Sequence, residues 1–206
     1  YAITSTGEAT QGNYNVTYNP GTLTITANAE AIVINANDAV RDYNGLPLTE
    51  SGFNSTGTLV EGDHIVVAMT PESTITNFGT QANTIASYQI LNAAGEDVTA
   101  NYSNITTNPG TLTDRSTKRT DYANAKTKVD GAAEPILNAT VTGLVGEDTI
   151  SYTTSRVAGE AVGTYAITST GEATQGNYNV TYNPGTLTIT ANAEAIVINA
   201  NDAVRD

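Results

Sequence analysis

The sequence contains no cysteine and no tryptophan, and only one methionine and one histidine. Thiolate nucleophiles, disulfide staples, cysteine-ligated zinc and multi-histidine metal centres are therefore excluded from the 206-residue chain. Positive charge is scarce as well: 8 Lys and Arg stand against 21 Asp and Glu, a formal net charge of -13. A nucleic-acid binder needs a basic footprint to displace counterions from phosphate, so that class falls too. Long apolar runs are missing. The strongest, AIVI at 31–34, is far short of the roughly 20 residues that span a bilayer, so no membrane insertion is expected of this segment. Only 14% of residues are charged and 39% hydrophobic, while Thr, Asn and Gly are abundant. That balance suits short strands and tight turns and does not suit helices.

What the chain does contain is repetition. Residues 1–42 recur letter for letter as 165–206, an offset of 164. Inside that period lies a diverged half-period. NYNVTYNPGTLT at 13–24 and 177–188 is echoed by NYSNITTNPGTLT at 101–113, and TGTLVEGD at 56–63 by TGLVGED at 142–148. Units of about 80 residues are large enough to own a core, unlike the 20–45-residue repeats of a solenoid. The boundaries fall after each TLTIT-like strand. Residues 1–28 read as the closing part of a module (the repeat of 165–192), 29–114 and 115–191 as complete modules, and 192–206 as the opening of the next (the repeat of 28–42). Neither end piece can bury a core alone, so the reading expects one window on a longer tandem array whose end pieces are completed by neighbouring repeats.

The local pattern is that of strands. Tyr14, Val16 and Tyr18 alternate with Asn15 and Thr17, and Leu23, Ile25 and Ala27 alternate with threonines. This predicts a hairpin around Asn19-Pro20-Gly21, with Gly21 at positive φ and Tyr14, Val16, Leu23 and Ile25 facing inward. The counterparts Tyr178, Val180, Leu187 and Ile189 are predicted to do the same. Further strands are predicted at 31–36, 64–70, 86–91, 136–142, 149–154 and 165–169. The fold expected is all-β: small antiparallel β-sandwich (Ig-like) modules in tandem, head to tail, with a β-grasp-like module as the alternative.

The order of motifs resembles the MBG-type repeats (YDG and YGX varieties) found in tandem in large bacterial surface adhesins. Residues 115–191 carry Gly143-Leu144-Val145, GTYAIT at 163–168, NYNVTY at 177–182 and GTLTIT at 185–190. Residues 29–114 keep Tyr43-Asn44-Gly45, Leu59-Val60-Glu61-Gly62-Asp63 and NPGTLT at 108–113. Val129 departs from the pattern by replacing the Y-x-G tyrosine of the second module. The resemblance implies a non-catalytic structural repeat of an extracellular adhesin stalk or surface fibre, spacing an adhesive tip from the cell. Its alternative is an adhesive module that itself binds glycan, mucin or another cell. The implied partners are neighbouring repeats of the same polypeptide, with lateral self-association into fibres.

No residue reads as catalytic, cofactor-binding or metal-binding, and no cofactor is called for. His64 after Asp63 has no nucleophile, second histidine or ligand set beside it. Glu96-Asp97 and Glu147-Asp148 read as solvated turn carboxylates. Asn37, Asp38 and Asp42 supply hard oxygens that could serve Ca²⁺, against their plainer use in a turn. All three lysines (Lys118, Lys126 and Lys128) lie in 115–191, so a Lys–Asn isopeptide cross-link is open only there. With Arg115 and Arg119 they form a basic run beside the acidic 29–113, which holds nine acids and one base.

Overall fold

The computed structural model describes residues 1–205; Asp206, the last residue of the 192–206 piece, lies outside the described residues. The described residues form twenty strands and a single 3-10 turn, Thr99–Asn101, with no α-helix. The all-β reading holds, and the helix of the β-grasp alternative is not there.

In chain order the strands begin with four two-residue pieces, β1 (Ala2–Ile3), β2 (Thr10–Gln11), β3 (Tyr14–Asn15) and β4 (Gly21–Thr22). Next come β5 (Ile32–Ala36), β6 (Ala39–Asp42), β7 (Phe53–Thr56), β8 (His64–Met69), β9 (Gly79–Asn83) and β10 (Ile85–Leu91). After the 3-10 turn follow β11 (Ile105–Asn108), β12 (Gly110–Arg115), β13 (Thr117–Ala123), β14 (Lys126–Val129) and β15 (Ala139–Val141). The last are β16 (Thr153–Arg156), β17 (Gly163–Thr170), β18 (Thr174–Gln175), β19 (Tyr178–Asn183) and β20 (Gly185–Thr190).

The chain divides into two compact units that do not follow chain order. The first is 1–39, 49–73 and 82–111; the second is 40–48, 74–81 and 112–206. The first unit contains the three-stranded sheet β11-β5-β7 and the β10-β8 pair. One face of strand β5 is core: alternation puts Ile32 and Ile34 into a cluster with Ile90 and Tyr102, while Val33 and Asn35 on the other face are half-buried. The second unit stacks two four-stranded sheets, β15-β13-β19-β18 and β14-β20-β17-β16. Strict alternation places Tyr178 and Val180 of β19, and Leu187 and Ile189 of β20, inside, as predicted. Each such fully buried side chain contributes about 1.5–3 kcal/mol.

Pairing departs from the purely antiparallel expectation. Strand β5 runs parallel to β11, β13 to β19 and β14 to β20. The cause is the Asn-Pro-Gly segment, which is a corner between sheets and not a hairpin turn. Strand β19 lies in one sheet, and β20, one residue past Pro184, lies in the other. Proline has no N–H to continue the first ladder. Glycine is needed for close approach: a Cβ on Gly185 would overlap the Ala123 carbonyl, and one on Gly110 the carbonyls of Ala36 and Asn37. The expected positive φ is absent at Gly21, Gly110 and Gly185. The true hairpin lies one step earlier, at β18–β19, where Gln175 pairs with Tyr178 across Gly176 at φ +54°.

The exact repeats adopt different structures. Residues 1–28 keep the register of their copy: Gln11 pairs Tyr14 as Gln175 pairs Tyr178, and Ile3 pairs Gly21 as Ile167 pairs Gly185. Their burial does not follow. Tyr14 is 76% exposed against 2% for Tyr178, and Leu23 and Ile25 are exposed as well, so the inward placement predicted for them fails. Likewise Ile32 in β5 is 1% exposed, whereas its copy Ile196 is 88% exposed and in no strand. Alternation sets which side chains share a face; only a covering layer buries that face.

Candidate functional site

The Leu-Val-x-x-Asp segments and the Asn-Tyr pairs come together as a clasp, built once in each unit. In the first unit the Tyr102 hydroxyl donates to Asp63 Oδ2 at 2.7 Å and accepts from the Val60 N–H at 2.9 Å. In the second the Tyr178 hydroxyl donates to Asp148 Oδ2 at 2.6 Å and accepts from the Val145 N–H at 2.9 Å. A four-residue turn aims each aspartate, its N–H bonded to the valine carbonyl at 3.0 Å. The glycine moves between the two. Gly62 takes the third turn position at φ +89°, the pattern of a type II turn, and Gly146 the second at φ +54°, that of type II′. Different turns deliver the same carboxylate. Asp148 was expected to be solvated with Glu147; it is instead a structural acceptor, and Asp63 likewise anchors a tyrosine and does not pair with the exposed His64.

The second unit elaborates its clasp. Tyr43, the Y-x-G tyrosine, donates a second hydrogen bond to Asp148 Oδ2 at 3.0 Å and packs edge-on against Tyr178, ring centroids 5.7 Å apart. The Arg119 guanidinium lies 5.2 Å from the Tyr178 ring, a cation–π contact. Burial raises the Tyr43, Tyr178 and Tyr102 hydroxyls above the usual tyrosine pKa, and the carboxylates they donate to raise them further. These groups hold their protons at neutral pH and act as donors. None is poised as a base.

Two ion clusters hold the salt bridges of the described residues. Lys128 Nζ contacts Glu134 at 3.2 Å and Glu160 at 2.5 Å, and Arg156 bridges the same two glutamates, also capping the Val157 and Gly159 carbonyls. Hydrogen bonding from Arg156, then from Lys128, holds Glu134 down at about 2. Arg41 donates twice to the buried Asp114, at 2.9 and 3.2 Å, and also bonds the Leu46 and Pro47 carbonyls. The basic run read in the sequence is thus dispersed. Arg119 turns to Tyr178, Lys128 to two carboxylates, and Lys118 to solvent.

Strand β13 also carries a polar residue where an apolar one is expected. Parallel register sets Asp121 beside Tyr182 as Ile34 sits beside Thr107, so Asp121 occupies the position of Ile34. It is fully buried, and neither carboxylate oxygen has a hydrogen-bond partner. Sequence reasoning missed this residue; the alternation Arg119, Asp121, Ala123 on the inward face of a strand was the available signal.

Of the three residues considered for calcium, Asn37 and Asp38 are engaged within the first unit, while Asp42 is exposed. Asp38 Oδ1 accepts from the Thr111 N–H at 2.6 Å, the Asn37 carbonyl from Asn83 Nδ2 at 2.9 Å, and Asn37 Oδ1 from Asn54 Nδ2 at 3.3 Å. Among the described residues no three His, Asp or Glu side chains gather as a metal requires. Asp97 accepts from the Thr99 N–H two residues on, at 2.9 Å, and its bonds to Thr99 hold its carboxyl below the usual range. In the second unit an open groove of about 590 Å³ is lined by Tyr152, Thr153, Thr170, Glu172, Thr174 and Gln175. Gln175 is held there by Ser151, Glu172 and Tyr182, and Tyr152 by the Ala139 carbonyl. No described helix is long and apolar enough to cross a membrane.

Residues 122–188 match the MBG domain family, YGX type, which bears out the resemblance over that stretch. It is a family of adhesin-type surface repeats. No curated protein and no solved structure matches the chain.

Proposed function

We propose that the chain is a non-catalytic repeat of an extracellular stalk or fibre that carries an adhesive tip away from a cell surface. One observation carries the reading: the motif residues are spent on holding strands together. The two tyrosine clasps occupy the Leu-Val-x-x-Asp and Asn-Tyr motifs, the Asn-Pro-Gly glycines make the sheet corners, and the ion clusters tie strands to loops. Little is left over for chemistry. Repetition at an offset of 164 residues is what a spacer needs, because length is gained by adding copies.

The test is length against adhesion. Surface-displayed proteins with one to four periods should show contour lengths in electron micrographs that grow by roughly 60–80 Å per period, taking strands of about 7–8 residues at 3.3 Å each plus turns. Adhesion should depend on the tip. Unchanged adhesion of a tipless array would refute the stalk.

The open groove at Tyr152 supports the second reading, direct binding of a glycan by the repeat itself, since an exposed tyrosine flanked by threonines and a glutamate suits a sugar face. A glycan array probed with the full chain separates the two.

A further inference from the structure

One side chain ties together the walls of the groove at Tyr152. Gln175 Nε2 reaches the Ser151 carbonyl at 2.9 Å, the Glu172 carbonyl at 3.1 Å and the Tyr182 hydroxyl at 2.8 Å, and its Oε1 accepts from the Ser151 N–H at 2.8 Å. The Tyr152 hydroxyl donates to the Ala139 carbonyl at 3.1 Å, and the Thr153 and Thr170 hydroxyls bond each other at 3.0 Å. A Cβ on Gly171 would overlap the Tyr182 hydroxyl and the Ser151 carbonyl, so the 170–174 wall approaches as closely as glycine permits. Walls held in this way are preorganised, and a ligand has little ordering left to impose.

The electrostatics of the groove select a sign. No Lys or Arg is among its lining residues. Lys128 and Arg156 are engaged by Glu134 and Glu160, and Arg119 lies against Tyr178. Glu172 is exposed, and among the described residues its carboxylate makes no ion pair and no hydrogen bond; only its carbonyl is used. Burial raises the Tyr182 hydroxyl above the usual tyrosine pKa, and the charges of Asp121 and Glu172 raise it further, so the floor of the groove lies in a negative field.

We infer that the groove takes an amino sugar carrying a free, protonated amine, with the ammonium set against Glu172 and the sugar ring along Tyr152. This rests on the direct-binding reading and narrows it to one ligand class. An ammonium gains from a carboxylate and from an aromatic ring. A carboxylated or sulfated sugar is repelled by the same field. The Thr153 and Thr170 hydroxyls suit the hydroxyl groups of a sugar, which a lysine side chain or a polyamine lacks. At about 590 Å³ the groove falls within the size range of small-ligand sites.

The test titrates the full isotope-labelled chain with a glucosamine trimer and with its N-acetylated counterpart, which keeps the rings and loses the charge. Salt is held at physiological strength, so that a net charge of -13 does not gather cations at every carboxylate. The free-amine trimer should shift the amide signals of 151–153 and 170–175 and bind about fivefold more tightly than the acetylated one. Glu172→Gln should abolish that preference, so that the two trimers bind alike, because acetylation and the substitution delete the same interaction. Glu72→Gln, the same charge change at an exposed position of the first unit, should leave the preference intact. Equal binding of both trimers by the parent overturns the inference and leaves the direct-binding reading standing. An equal loss in the two variants also overturns it, because the attraction is then diffuse. If neither trimer moves the groove signals the inference falls, and the glycan array decides the wider reading.

Discussion

Asp121→Val should make the protein more stable. Asp121 is fully buried on β13, and both its carboxylate oxygens lack a hydrogen-bond partner. Leaving a buried acceptor unsatisfied costs about 1–3 kcal/mol, and Asp121 buries two such acceptors. Valine is close to aspartate in shape, so the overpacking that a larger residue brings is small. The fold accepts an apolar side chain there, because Ile34 fills the matching register position of the first unit. One term opposes the gain. Arg119, two residues back on the same face, loses a nearby negative charge, although it makes no hydrogen bond to Asp121 and keeps its contact with Tyr178. The net expectation is a gain of about 1–3 kcal/mol, or roughly 2–10 °C in melting temperature. Asp121→Asn removes the charge but leaves polar atoms unpaired, so it should gain less than valine. Calorimetry and urea unfolding followed by far-ultraviolet circular dichroism measure both. A valine variant less stable than the parent, or an asparagine variant equal to it, would refute the account of Asp121 as an unpaired buried group.

Gly185→Ala should cost about 1–3 kcal/mol through overlap with the Ala123 carbonyl. Gly21→Ala, in the identical sequence, should change stability by less than about 0.5 kcal/mol, because its nearest neighbour is Ile3 Cβ at 3.6 Å. Thermal melts of the two variants check the pair. Asp148→Ala strands two tyrosine hydroxyls and should cost about 2–4 kcal/mol, more than Asp63→Ala, which strands one; urea titrations of both decide the order. Glu134 is depressed to about 2, so the stability it contributes is present above the ordinary glutamate value near 4.5 and is lost as pH falls toward 2. Melting curves of Glu134→Gln should accordingly show a shallower acid limb than the parent. Tyr43 and Tyr178 are raised above 10.0, so their contribution is intact below pH 10 and disappears as pH climbs through the raised values. Tyr43→Phe should flatten the alkaline limb of the same melting profile.

The repeated 42 residues divide what sequence decides from what tertiary structure decides. Local order is written in the residues themselves. Gly176 and Gly12 both take positive φ, and the Gln–Tyr and Ile–Gly pairs form in both copies, because turn chemistry and period-2 alternation act over a few neighbours. From such signals the all-β class, the module motifs and the strands at 32–36, 64–69 and 85–91 could be read. The clasp could not be read, because Asp148 meets Tyr178 thirty positions away and Tyr43 more than a hundred, and no local pattern encodes that meeting. Nor could the parallel ladders, since an Asn-Pro-Gly corner and a hairpin turn look alike in a string of letters until Ala123 is seen against Gly185. Burial belongs wholly to the tertiary level. The run Ile-Val-Ile-Asn-Ala is a buried strand at 32–36 with β7 and β11 on either side, and an exposed segment without strand pairing at 196–200. A strand satisfies its hydrogen bonds only through its neighbours, so the same residues are core or surface according to what lies beside them.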